Sequence, residues 1–83
     1  MKLIFAPQAA KALTKMPKQD AAALARKLSD FASDPFGRLP WAKALKGGGV
    51  RVRHGDWRAI CEIYRDRMVV LVVKIGNRKD IYE

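Results

Sequence analysis

VRVRHGDWRAICEIYRDRMVVLVVKI, Val50 to Ile75, is the stretch on which the fold turns. Arg51 and Arg53 alternate with Val50 and Val52. In an extended chain alternate side chains project to opposite faces, so one face of this segment is apolar and the other carries guanidinium groups. Gly55-Asp56 is a two-residue hairpin signal, and Trp57–Tyr64 reads as the returning strand, on which Arg58 joins the face of Arg51 and Arg53. Arg65-Asp66-Arg67 is a second short turn into Met68–Ile75. Turns this short dictate an antiparallel meander of Val50–His54, Trp57–Tyr64 and Met68–Ile75. Met68 to Val73 is apolar on both faces, which predicts the central, most buried strand. Gly76-Asn77 ends it, and Asp80–Tyr82 is open to a terminal strand or an extended edge.

Upstream, Lys2–Ala6 reads as a first strand and Pro7–Met16 as a first helix. Proline suits a first helical position because its fixed φ and missing N–H cost nothing there. Ala6 is a poor N-cap. Pro17 ends this helix and opens a second, Lys18–Ser33, where Ala21, Leu24, Leu28 and Phe31 recur at spacings of three and four. Two helices parted by one proline form a hairpin whose shared apolar face covers a sheet. Asp34-Pro35-Phe36-Gly37 stops the second helix, and Leu39–Gly49 reads as a connection. Within it Trp41 caps the edge of the core and Gly47-Gly48-Gly49 gives slack into the next strand. Lys46 and these glycines do not make a phosphate-cradling loop, because no second lysine with Ser or Thr follows. The expected fold is α+β: an N-terminal strand and helical hairpin packed on a mainly antiparallel four- to five-stranded sheet, one domain over residues 1–83.

A chain of 83 residues buries a real but thin core, and 49% hydrophobic residues without a low-complexity run is a globular composition. Lys plus Arg number 17 against 8 Asp plus Glu, a net charge of +9. That density favours an anionic partner, nucleic acid or an acidic protein surface, bound in a salt-dependent way. Cys61 has no second cysteine to pair with, which fits a reducing cytosol, and its place among apolar residues makes it core filler. MKLIFAPQ lacks a signal-peptide core and cleavage site, and no stretch is long enough to span a bilayer. The expectation is a cytoplasmic protein without membrane contact. No His, Cys, Asp and Glu share metal-ligand spacing, so neither metal nor other cofactor is expected.

The order of strand, helical hairpin, Lys-Gly loop, VRVRHGDWRAICEI, MVVLVVKIGNR and DIY resembles the RelE family within the RelE/ParE toxins of bacterial toxin–antitoxin pairs. The likeness covers essentially the whole chain, with Gly-Asp-aromatic-Arg, Val-Val-x-Ile-Gly-x-Arg and a terminal tyrosine as its specific part. It implies an mRNA endonuclease acting in the ribosomal A site, neutralised by a cognate antitoxin with which it forms a hetero-oligomer. Arg51 and Arg53 match the family's two basic residues of the first hairpin strand, Arg58 the arginine after the hairpin, Arg78 the arginine after Ile-Gly, and Tyr82 the tyrosine near the chain end. Lys46 and Lys79 join Arg51 and Arg53 as candidate contacts to RNA or the ribosome. Two positions depart from the pattern: Asn77 stands where many relatives have histidine, and Tyr82 follows Arg78 by only four residues.

Such a set suffices without metal because RNA carries its own nucleophile. The 2′-OH attacks the adjacent phosphate in line, leaving a 2′,3′-cyclic phosphate and a 5′-OH. The protein must align that attack, remove the 2′ proton, stabilise the phosphorane and protonate the leaving oxygen. Arginine stays protonated and forks onto phosphate oxygens, but is a poor base. Tyr82 is then the best candidate base, since nearby cations favour its phenolate. By parity His54 falls on the face of Val50 and Val52, which suits a structural role, and Glu62 is read as an ion-pair partner for an arginine. A ParE-like inhibitor of DNA gyrase, without chemistry of its own, is the alternative on the same fold. A non-catalytic RNA-binding module is disfavoured because the arginine face, with Ile60, lacks aromatics for bases to stack on.

Overall fold

Pro7 and Pro17 divide the N-terminal part as their chemistry requires. In the computed structural model, which describes residues 1–81, the chain runs β1 (Lys2–Phe5), α1 (Pro7–Lys15), α2 (Lys18–Ser33), β2 (Ala42–Ala44), β3 (Val50–His54), β4 (Trp57–Tyr64), a 3-10 turn (Arg65–Arg67) and β5 (Val69–Asn77). Pro7 occupies the first turn of α1 behind Ala6, which supplies no side-chain cap. The sheet order is β1-β5-β4-β3-β2, with β1 parallel to β5 and the other neighbours antiparallel. This is the α+β architecture expected: two helices on one face of a largely antiparallel sheet.

The helices cover one sheet face only. Leu24, Leu28 and Phe31 of α2, with Ala9 of α1 and Met16 just after it, meet Val52, Ala59, Cys61, Val70, Val72 and Ile75 from the strands. Burial pushes the Cys61 thiol up to about 12, so it stays protonated and inert inside this core. His54 falls on the same face, as parity requires, and its Nε2 lies 3.4 Å from Asp20 Oδ1 on α2.

Several details differ from what the sequence suggests. Leu39–Gly49 is not all connection: Ala42–Ala44 pairs with Val50–Val52 as a short edge strand that three residues of weak periodicity do not announce. The third meander strand is Val69–Asn77, not Met68–Ile75, and it lies second from the edge, with β4 at the sheet's centre. Met68 instead holds a left-handed conformation, φ 54° and ψ 48°, at the exit of the 3-10 turn. The segment after β5 forms a turn, with Asp80 N–H donating to Asn77 O at 2.8 Å, and Ile81 packs back as a buried residue.

β5 also contains a bulge. Ile60 pairs with Lys74 but Cys61 pairs with Val72, so Val73 is an extra residue in the ladder. Strict alternation from buried Val70 and Val72 would point Lys74 into the core. The bulge reverses the parity, burying Ile75 and leaving Lys74 exposed.

The triple glycine is a built turn rather than slack. Leu45 N–H donates to Gly49 O, Gly48 N–H donates to Leu45 O, and all three glycines have positive φ. At Gly49, φ is +86° and a Cβ would stand 2.9 Å from the Cys61 carbonyl oxygen. Gly49→Ala is therefore expected to destabilise the fold by about 1–3 kcal/mol, read as a lower urea midpoint at unchanged slope.

Candidate functional site

The open face of the sheet, opposite the helices, is ordered in cross-strand rows. At the β3–β4 hairpin end Arg53 pairs with Arg58, and Arg58 with Gly76. The next row is Lys43, Arg51, Ile60 and Lys74, followed by Glu62, Leu71 and Ile4, and then Tyr64, Val69 and Lys2. Cations thus gather toward the hairpin, and apolar side chains toward the opposite end.

The hairpin itself sets this geometry. Gly55 takes φ +56°, while Met68 alone among the described non-glycine residues has positive φ, so Asp56 does not. Glycine at the first central position is the pattern of a II′ turn, whose twist matches the flanking strands. Arg53 and Arg58 stand directly opposite each other, and like charges so placed repel. Arg58 is turned toward backbone oxygens, its Nη1 donating to Gly55 O at 2.8 Å and to Trp57 O at 3.1 Å. Arg78 N–H donates to Asp56 O at 2.7 Å, which docks the residue after β5 against the hairpin tip. Its Nε lies 3.6 Å from Asp56 Oδ1, an exposed and therefore weak ion pair. Ile81 lies over Gly76, where a Cβ would meet its side chain at 3.2 Å.

Arg53, Arg58 and Arg78 therefore share the hairpin end of the molecule, and Arg51 stands two residues along the same open face. Lys79 sits in the exposed turn beside Arg78, its N–H donating to Asn77 Oδ1. Lys46 lies in the turn before β3, at the other end of that strand from Arg53. Tyr82 lies outside the described residues. Glu62, read as an arginine's partner, accepts a hydrogen bond from Tyr64 Oη. That hydrogen bond, then the carboxylate's charge, raises the Tyr64 phenol above its usual pKa and makes it a donor rather than a base.

Two cations in the row next to the hairpin, Lys43 and Lys74, were not evident from the sequence. Lys43 became visible only with β2, which sets it opposite Arg51. Lys74 is the one charge in the apolar run of β5, a signal in itself, but its face depends on the bulge. Together these side chains offer several fixed positive charges across a twisted, one-sided surface, an arrangement that can hold a polyanionic strand and stabilise added negative charge on one phosphate. Among the described residues, no three His, Cys, Asp or Glu side chains gather as metal ligands.

The fold recurs in known toxins. The chain is similar to a RelBE toxin–antitoxin complex from Mycobacterium tuberculosis (23% identity, TM-score 0.76, covering 93% of this chain and 96% of that one). It is similar to an archaeal RelE–RelB complex from Pyrococcus horikoshii (21% identity, TM-score 0.76, 96% and 97% covered). A RelE mutant from E. coli in the free state matches with 20% identity and a TM-score of 0.79, over 95% and 84%. No curated protein sequence matches the chain. The family model for the ParE toxin of the type II toxin–antitoxin system parDE matches residues 3–82. With that match over nearly the whole length, and the RelE fold beneath it, the chain belongs to the ParE toxin family, within the RelE/ParE superfamily of type II toxin–antitoxin systems.

Proposed function

We propose that this toxin is a metal-independent endoribonuclease that cuts mRNA in the ribosomal A site. The observation that carries the reading is the gathering of Arg53, Arg58 and Arg78 at the hairpin end of an open sheet face that also bears Arg51. A gyrase inhibitor that works by binding alone has no need of such a set around one point. Arg58 and Arg53 would hold the scissile phosphate's non-bridging oxygens, Arg51 the adjoining backbone and Arg78 the charge on the leaving oxygen, which would take a proton from solvent to become the 5′-OH. Tyr82 would take the 2′ proton, and Lys79, with Lys46 farther along, would contact flanking RNA or the ribosome. The cognate antitoxin would be an acidic segment folding over the basic face, as RelB accompanies RelE in the solved complexes, and the pair would act in the cytoplasm.

Purified toxin added to programmed ribosomes should cut the message within the A-site codon, leaving a 2′,3′-cyclic phosphate and a 5′-OH. An intact message alongside full arrest of gyrase supercoiling would overturn this reading. It would support the second one, inhibition of DNA gyrase, which the match to the ParE family model favours.

A further inference from the structure

At the edge of the sheet, beside the arginine row, lies a hollow of about 360 Å³ lined by Lys27, Pro40, Trp41, Arg53 and Gly55. Its walls are held by specific bonds. Ala42 N–H donates to Leu39 O at 3.0 Å, closing the turn that carries Pro40 and Trp41. Arg53 N–H donates to Trp41 O at 2.8 Å, one step beyond the Ala42–Val52 pair, which fastens Trp41 alongside Arg53. From α2, Lys27 Nζ donates to Arg53 O at 3.2 Å and stands 5.7 Å from the centre of the Trp41 ring. The hollow thus presents an indole and a proline ring, the Lys27 ammonium, the base of Arg53, and a glycine without a side chain to cover its mouth.

Packing against the core accounts for the indole alone. It does not account for two basic residues at the same rim, Lys27 with its ammonium held by the Arg53 carbonyl and Arg53 with an exposed side chain. A ligand with a flat π-face joined to an anion uses every wall, whereas an acidic peptide or a free phosphate leaves the indole idle. The hollow also shares Arg53 and Gly55 with the arginine cluster: Arg53 faces Arg58, and Arg58 donates to Gly55 O. A strand whose phosphate sits at Arg53 and Arg58 therefore has its next nucleotide at the hollow's mouth.

We propose that this hollow seats the nucleotide neighbouring the scissile phosphate, with its base against Trp41 and Pro40 and its own phosphate between Lys27 and Arg53. The inference rests on the nuclease reading and adds to it a base-stacking subsite off the sheet face. Lys27, on its flexible stem, exchanges the Arg53 carbonyl for the phosphate when RNA enters.

The test is binding of a uniformly 2′-O-methylated RNA hexamer, which has no nucleophile and is not cut, followed by fluorescence anisotropy. Abasic versions of the hexamer, one per position, locate the base that is read. One abasic position should weaken binding to the native chain about tenfold. Trp41→Leu should weaken the intact hexamer by a similar factor and erase the difference at that position, while Trp41→Phe keeps most of it. Lys27→Gln should lower the salt slope of binding by about one. Because Trp41 touches the core, Trp41→Leu is checked by thermal melting, and Lys27→Gln carries the test if that variant does not fold. Unchanged discrimination in folded Trp41→Leu, or an unchanged salt slope in Lys27→Gln, overturns the subsite. Failure of the native chain to bind the hexamer overturns it too. The nuclease reading is judged separately, by cleavage on programmed ribosomes, so the two failures stay apart.

Discussion

Arg58→Ala is expected to slow message cleavage on programmed ribosomes by about 10²–10³-fold, the loss seen when one preorganised donor to a developing charge is removed. An effect of this size is expected at Arg58 because of its setting. It lies between Arg53 and Gly76 in one row, half-buried, with a guanidinium already oriented by the Gly55 and Trp57 carbonyls. A donor oriented before substrate arrives needs little reorganisation at the moment of reaction. Arg58→Lys should restore only a small part of the rate, since an ammonium cannot fork onto two phosphate oxygens. Stability should change by no more than about 1 kcal/mol, because truncation also removes the like-charge contact with Arg53. Single-turnover cleavage paired with thermal melting separates the two effects. Arg78→Ala and Tyr82→Phe are expected to lower cleavage by orders of magnitude as well, and undiminished rates in both would remove the site assignment.

The second large effect concerns the fold. Phe31→Ala should cost about 3–5 kcal/mol, through lost burial and an unfilled cavity. Phe31 is only 2% exposed and heads the large, fully buried side chains, beside Leu24 and Leu28 of the same helix. A domain of 83 residues has a net stability of roughly 4–12 kcal/mol at typical values per residue. One truncation at α2 therefore removes a large part of what holds the helices to the sheet. Urea titration followed by tryptophan fluorescence reads it directly. A loss below about 1 kcal/mol would mean that the helix–sheet contact is not where the stability resides.

The charge pattern connects these two results. The strand residues that pack against α1 and α2 lie on one face of the sheet, and the arginines of β3 and β4 project from the other. Core and site can thus be altered separately. Substitutions at Arg53 or Arg58 leave the helix–sheet packing intact, and substitutions at Val52 or Ala59 reach the arginines only through the backbone they share.

Much of this was legible in the chain. Alternation over Val50–Tyr64 set Arg51, Arg53 and Arg58 on one face and His54 on the other, because strand parity is a local property of the backbone. Gly55-Asp56 dictated the hairpin, Pro7 and Pro17 bounded the helices, and the spacing of Leu24, Leu28 and Phe31 marked the buried side of α2. Each of these follows from steric rules acting within a few residues. Other features did not show. β2 exists because Ala42–Ala44 finds Val50–Val52, and Lys43 joins the open face only through that pairing. Lys74 is turned outward by one extra residue opposite Ile60 and Cys61, a register choice made between strands. Trp41, Lys27 and Arg53 meet because α2 crosses the sheet at that edge. Within each regular stretch, residue order alone says which side chains share a face. Which elements lie side by side, in what register and where a ladder bulges emerges only on folding, because that depends on contacts between segments that no local rule connects.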